Sequence, residues 1–294
     1  MTSEIYVDTP PNFSFRHTIY SHGWCELAPF SIDEENWRLS YVFRCRSSGR
    51  STTATISGEN GRVRIDVRDN SIDQDGLVRD IRHILRLDDD MSPFYAYLKK
   101  EKRLKWIETA MAGRLLRSPT IFEDLVKTIC TTNCSWSLTK SMVTNLVEAL
   151  GEPSADGQRA FPGATVMAQQ NVDFYRNVMR AGYRAPYFVE LAEAVASGFL
   201  DPEQWAVSEL STDDLKKEMK KIKGVGEYAA EHMLKLLGRY DGLALDSWVR
   251  SQFYKRHNND ERCGDNQIAE FYDKFGEWKG LVCWLDMTEK WILD

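Results

Sequence analysis

The sequence predicts an α+β protein that is mostly α, with a small antiparallel β N-terminal lobe followed by a multi-helix body. Two observations carry this. Over the first ~70 residues, apolar and polar side chains alternate with period two between Gly/Asn turns, the pattern of a sheet with one buried face. From about Asp88 the period changes: Ser-Pro starts lead into apolar residues three and four apart, the pattern of amphipathic helices.

Taken in order, residues 37–45 (WRLSYVFRC) alternate large apolar with polar side chains, and 52–57 (TTATIS) are rich in β-branched residues. Gly58-Glu-Asn-Gly61 is turn chemistry, and 62–68 (RVRIDVR) alternate strictly, with Val63, Ile65 and Val67 on one face. Ser92 with Pro93, and Ser118 with Pro119, open helices with a cap and a proline in the first turn. Further helices are expected at 137–150, 171–181, 184–197, 212–221, 227–238, 246–255 and 265–275, with a Gly/Pro-rich loop at 152–163. No internal repeat or low-complexity segment interrupts them. The expected division is a β-rich lobe at 1–88 and a helical domain at 89–294.

A chain of 294 residues with 43% hydrophobic and 28% charged residues is an ordinary globular protein. No apolar run approaches the ~20 residues of a membrane span, and the N-terminus lacks a secretory pattern. A cytoplasmic monomer is the expectation. The six cysteines (25, 45, 130, 134, 263 and 283) read as free thiols. Cys130 and Cys134 are four apart, but no second pair stands at metal-ligand spacing, so no metal site is expected.

The net charge is −6, yet from Asp214 to Arg256 ten basic residues face six acidic ones, a local balance of +4. Because phosphates feel charge mainly within a Debye length of ~10 Å, one basic stretch on an acidic protein is compatible with nucleic acid at a defined face. A solvated charged helix face has the same composition.

The chemistry concentrates in the same stretch. Residues 215–238 read as helix, hairpin and helix, with Lys223-Gly224-Val225-Gly226 as the hairpin. Two glycines around one apolar residue make a tight turn whose backbone N–H groups lie at a helix N-terminus, a place suited to a phosphate. Val225 can tuck between the two helices. The segment 239–256 then brings Asp246, twenty residues after Gly226, among Leu243, Ala244, Leu245, Trp248 and Val249 at the start of a helix. A carboxylate there also serves as an N-cap.

This combination resembles the helix-hairpin-helix DNA glycosylase superfamily (HhH-GPD), which includes endonuclease III and the adenine, alkylpurine and 8-oxoguanine glycosylases. The likeness extends to 122–133, similar to the helix leading to a DNA-contacting Asn in the 8-oxoguanine branch, and to 181–187, similar to its wedge loop. The β-rich start resembles the N-terminal lobe of the 8-oxoguanine and alkylpurine branches.

The resemblance implies an enzyme acting on double-stranded DNA. Asp246 would be the catalytic carboxylate, stabilising an oxocarbenium-like sugar and orienting water. Lys223, Gly224, Val225 and Gly226 would grip a phosphate. Tyr183 would fill the gap left by the flipped nucleotide, with Arg184 and Asn133 hydrogen-bonding the orphaned partner base. Tyr228, His232, Trp136, Cys283 and Met287 would line the base pocket.

Two departures refine this. Tyr228 stands where bifunctional members carry the Schiff-base lysine, so hydrolysis leaving an intact abasic site is expected. Only Cys263 and Cys283 follow Asp246, so the iron–sulfur cluster of some branches is not expected. No cofactor is required, though a monovalent cation on the hairpin carbonyls is compatible with the resemblance. A monofunctional glycosylase for a damaged or modified base is therefore the leading expectation. The alternatives are removal of a hypermodified cytosine from phage DNA, a bifunctional oxidised-guanine glycosylase/lyase, and a non-catalytic DNA-binding module.

Overall fold

The computed structural model describes residues 3–45, 49–67 and 73–293. The chain forms two compact units, Met1–Asp89 with Arg114–Gln204, and Asp90–Gly113 with Trp205–Asp294. This cuts the chain differently from the division expected at residue 88. The reason lies in contacts between distant segments. Phe94, fully buried, packs 5.1 Å from Trp278, and Arg103 clasps Asp286, so the 90–113 segment is built into the second unit.

In the first unit, β1 (Ser3–Asp8), β2 (Ser31–Asp33), β3 (Arg38–Arg44), β4 (Ser51–Glu59) and β5 (Arg62–Val67) form one antiparallel sheet in the order β1-β5-β4-β3-β2. Leu39 pairs with Ile56 and Ile56 with Ile65, giving a cross-strand row that is wholly buried. Val63, Ile65 and Val67 share the buried face, as their spacing predicts, while Arg68 lies outside the described residues. β1 and β2 escape the sequence reading because β1 buries only Val7 and β2 has three residues.

Helix also begins earlier than Asp88. α1 (Phe15–Ile19) and α2 (Gln74–Leu85) precede it, α2 starting where Asp73 accepts from Gly76 N and burying Leu77, Ile81, Ile84 and Leu85. α3 (Ile121–Thr131) is capped by Thr120 rather than Ser118, and the Glu203 carboxylate accepts from Ile121 N and Phe122 N at 3.1 and 3.0 Å.

Every residue of α3 from Ile121 to Cys130 is buried, the charged ones in partnership. Lys127 meets Glu123 at 2.6 Å, and Asp124 accepts from Trp24 Nε1 and Ser118 N. Burial pushes the Asp124 carboxyl up to about 6. α4 (Trp136–Leu150) and α5 (Ala185–Ala196) complete the longer helices of this unit, with short helices at Ala164–Met167 and Val172–Asn177 between them.

The second unit holds the short helices Ser92–Leu98 and Lys105–Thr109, then α6 (Thr212–Met219), α7 (Glu227–Leu236), α8 (Ser247–His257), α9 (Asp265–Asp273) and α10 (Lys279–Leu293). Ser92 is the first residue of its helix, and Met91 takes the cap position. At the centre lies Asp286, with no accessible surface. Its carboxylate accepts from Arg103 at 2.6 and 2.9 Å, Tyr272 Oη at 2.7 Å, His257 Nε2 at 2.9 Å and Arg256 Nε at 3.1 Å. Burial alone would raise its pKa, but the hydrogen bonds from His257, Arg103 and Tyr272 hold it well below the usual carboxylate range. One carboxylate thus ties the 90–113 segment, α8, α9 and α10 together.

Candidate active site

The hairpin forms as its residues require. α6 ends at Met219 and the chain turns through Gly224 at φ +91°, a left-handed conformation suited to glycine. Val225 N donates to Ile222 O at 3.0 Å, and the Val225 side chain is buried, the pin expected between the helices. Gly226 caps α7 with no side chain over its first N–H groups.

Much of the positive charge nearby is already matched. Glu227 in the first turn of α7 pairs with Lys216 at 2.8 Å and Lys220 at 2.6 Å, and Lys217 and Lys221 pair with Asp214 and Glu218. The +4 of this stretch is therefore more dispersed than its composition suggests. Lys223, on the hairpin itself, is exposed. Carbonyl oxygens are what the turn offers a monovalent cation, and Ile222 O among them already accepts from Val225 N. Among the described residues, no group of three or more His, Cys, Asp or Glu side chains could hold a metal ion.

Asp246 is the N-cap of α8, its Oδ1 accepting from Val249 N at 2.7 Å. The cap role and the catalytic expectation do not compete. The cap fixes one carboxylate oxygen and with it the direction of the other, at the positive end of a helix. Half-buried Asp246 is followed by Trp248, 41% exposed, whose ring lies 5.9 Å from that of Trp284 on α10. Tyr228 and His232, one turn apart on α7, stack at 6.0 Å, so these two expected pocket residues do share a face.

α10 presents a different face from the one expected. Cys283 has no accessible surface and Met287 is 5% exposed, so neither borders an opening in this unit. Burial pushes the Cys283 thiol up to about 12, which keeps it protonated and inert. The half-exposed residue is Trp284, one position along. α10 is buried on most of its circumference, Leu285, Asp286 and Thr288 included, so its sequence pattern singles out no face for a pocket. Trp284 lies outside the expected site, and the sequence places Trp248 only in the apolar setting of Asp246.

In the first unit the residues expected to contact the opened duplex lie together. Asn133, at φ +47° beyond the end of α3, places Nδ2 3.4 Å from Tyr183 Oη. Tyr183 is 55% exposed at a turn, Gly182–Arg184. Arg184 is not an exposed reader: it is 3% exposed, donates to the Thr132 carbonyl and to Thr132 Oγ1, and lies 4.5 Å over the Tyr183 ring. Its Nε and Nη2 are held by Thr132, with the guanidinium against the Tyr183 ring. Trp136 is likewise occupied, its Nε1 donating to Glu26 Oε2 at 3.2 Å and its ring packed on Gly23. A cavity of about 470 Å³ in this unit, lined by Tyr41, Phe43, Phe122, Glu123 and Phe161, contains none of the expected site residues.

Known proteins resemble the chain in sequence and fold. No protein-family model matches it. A DNA-3-methyladenine glycosylase of Bacillus subtilis is 25% identical over 54% of this chain and 53% of its own length. A probable N-glycosylase/DNA lyase of Methanothermobacter thermautotrophicus is 24% identical over 72% of this chain and 74% of its own. The chain thus spans only about half of the first relative. Among solved structures, the 3-methyladenine DNA-glycosylase of Archaeoglobus fulgidus aligns at TM-score 0.77 and 16% identity, over 97% of this chain and 98% of that one. The 8-oxoguanine glycosylase/lyase of Clostridium acetobutylicum, bound to duplex DNA with cytosine opposite 8-oxoguanine, aligns at 0.74 and 18%, over 99% and 97%.

The chain thus has the fold of these DNA glycosylases.

Within this glycosylase fold, the hairpin and the aspartate-bearing loop are consecutive parts of one unit, joined by α7. No lysine stands at 228 in the first turn of α7. The buried amine of Lys235, two turns on, is 3% exposed and donates to Leu243 O, so it offers no nucleophile to solvent.

Proposed function

We propose that this protein is a monofunctional DNA glycosylase that rotates a modified base out of the duplex and hydrolyses its N-glycosidic bond, leaving an intact abasic site. The observation that carries this reading is the pairing of a capped carboxylate, Asp246, with a tyrosine, Tyr228, where an amine would be needed for lyase chemistry. The leaving base takes the electron pair of the breaking C1′–N bond, and positive charge develops on the sugar. Asp246 stabilises that charge and accepts a proton from the water whose oxygen bonds to C1′. A monovalent cation on the hairpin carbonyls would add positive potential at a bound phosphate and take no part in bond cleavage.

For the base, the reading favours an alkylated, electron-poor purine. Trp248, 41% exposed and two residues beyond Asp246, offers an aromatic face, and a cationic base stacks well on such a ring. Such a base also leaves as a neutral molecule, which lowers the demand for a general acid. The relatives named for 3-methyladenine support the same class. Methylated duplex DNA should release 3-methyladenine or 7-methylguanine, read by chromatography. Release of 8-oxoguanine alone from an 8-oxoguanine·cytosine duplex, or of no base from either substrate, would overturn the assignment.

Tyr183 is the proposed wedge. Unstacking a nucleotide costs a few kcal/mol, so Tyr183→Ala should slow excision by about 10- to 100-fold, whereas Tyr183→Phe, which keeps the stacking face, should stay close to wild type. Equal rates for the alanine and phenylalanine variants would remove the wedge role.

A further inference from the structure

Lys235 and Glu231 are charged, largely buried, and unused by the chemistry above. Lys235 is 3% exposed and the Glu231 side chain 15% exposed, and they stand one turn apart on α7. Both reach the loop that carries Asp246. Lys235 Nζ donates to Leu243 O at 3.0 Å, and Glu231 Oε2 accepts from Ala244 N at 2.6 Å. Leu243 O and Ala244 N belong to the same peptide unit, so one helix face grips both ends of one peptide plane.

The gripped plane leads directly into strain. Ala244 sits at φ +51°, a left-handed conformation that costs a non-glycine residue about 1 kcal/mol or more unless its surroundings impose it. Two residues later the chain reaches Asp246. On the far side the loop is fixed by α10: Gly280 N donates to Tyr240 O at 2.6 Å, and a Cβ on Gly280 would lie 1.9 Å from Gly242 O. A lysine ammonium is a costly group to bury, and burial lowers its pKa here, so its placement calls for a use beyond packing.

We infer that the Glu231–Lys235 pair is a clamp that orients the Leu243–Ala244 peptide and thereby aims Asp246 at the sugar. Both are positioning residues, acting through the loop. This inference rests on the reading of Asp246 as the catalytic carboxylate, and its tests separate the two.

The variant Lys235→Met keeps length and apolar bulk and removes the donor. Single-turnover release of 7-methylguanine from methylated duplex should fall by about 10- to 100-fold, because small misplacements of a reacting group are costly. Affinity for a duplex containing a tetrahydrofuran abasic-site analogue should stay within about threefold, since binding and chemistry separate when only the aim of a group is lost. The Tm should fall only slightly, since removing a buried charge offsets the acceptor left unpaired at Leu243 O.

Hydrogen exchange of the Ala244 amide should quicken by about tenfold or more in Glu231→Leu, which removes its acceptor, and in Lys235→Met. Adding Ala244→Gly to Lys235→Met should recover part of the rate, because glycine adopts the left-handed conformation without the clamp. A wild-type rate in Lys235→Met, or rate, affinity and Tm falling together with no recovery from Ala244→Gly, would overturn the clamp. Asp246→Asn with full activity would instead overturn the reading of Asp246, while the Ala244 exchange rates still judge the clamp.

Discussion

Asp246→Asn should slow base release at least about 10³-fold in single turnover while leaving affinity for abasic-site duplex within a few-fold. Asparagine is isosteric with aspartate, and its Oδ1 can still accept from Val249 N, so the cap on α8 and the loop before it survive. Lost are the negative charge facing the developing cation and the acceptor for the proton of water. The split between chemistry and binding is what distinguishes this from damage to the fold. Were Asp246 only a cap, the asparagine variant would excise at the wild-type rate, and Asp246→Ala would lose stability instead. Base release by rapid quench and binding by fluorescence anisotropy decide between these outcomes.

The second large effect concerns stability. Asp286→Asn should destabilise the protein by about 3–5 kcal/mol, the cost of breaking a buried charge cluster by removing one partner. Arg256 and His257 would lose the carboxylate that compensates their partial burial, the more exposed Arg103 would lose its bidentate partner, and Tyr272 Oη would lose part of its acceptor. The sign of the pH dependence follows from the carboxyl being held well below its usual range. Such a group stabilises the folded state fully above the unfolded pKa of about 3.9, and the contribution is lost as pH falls through the folded value. Urea unfolding should therefore show a larger gap between wild type and Asp286→Asn at pH 7 than at pH 3. Equal gaps would mean that the carboxylate contributes shape rather than charge.

What the sequence disclosed divides by range. The buried face of Val63, Ile65 and Val67, the hairpin at 223–226 and the cap position of Asp246 are set by neighbours in the chain, and each formed where the pattern placed it. α2 does carry a helical stripe, with Leu77, Ile81, Ile84 and Leu85 three and four apart, but it lies inside the segment expected to be β-rich. The assignment of 90–113 to the second unit depends on contacts such as Arg103 with Asp286, 183 positions apart, which no periodicity encodes.

The site was legible in part for the same reason. Asn133 and Tyr183 lie together, but Arg184 is turned inward by bonds from Nε and Nη2 to Thr132, a partner 52 residues away whose role no local pattern shows. On α10 the expected Cys283 and Met287 belong to a helix buried on most sides, with Trp284 the more accessible neighbour. Lys235 read as one more cation in a basic stretch, and only the fold turns it inward onto Leu243 O.

The central claim is that water, and not a protein amine, attacks C1′. Incubation of the enzyme with methylated duplex DNA, with and without sodium borohydride, tests it most directly. The account predicts abasic sites in strands that stay whole until alkali is added, and no protein–DNA adduct after reduction. Strand cleavage without alkali, together with a borohydride-trapped covalent complex, would contradict it.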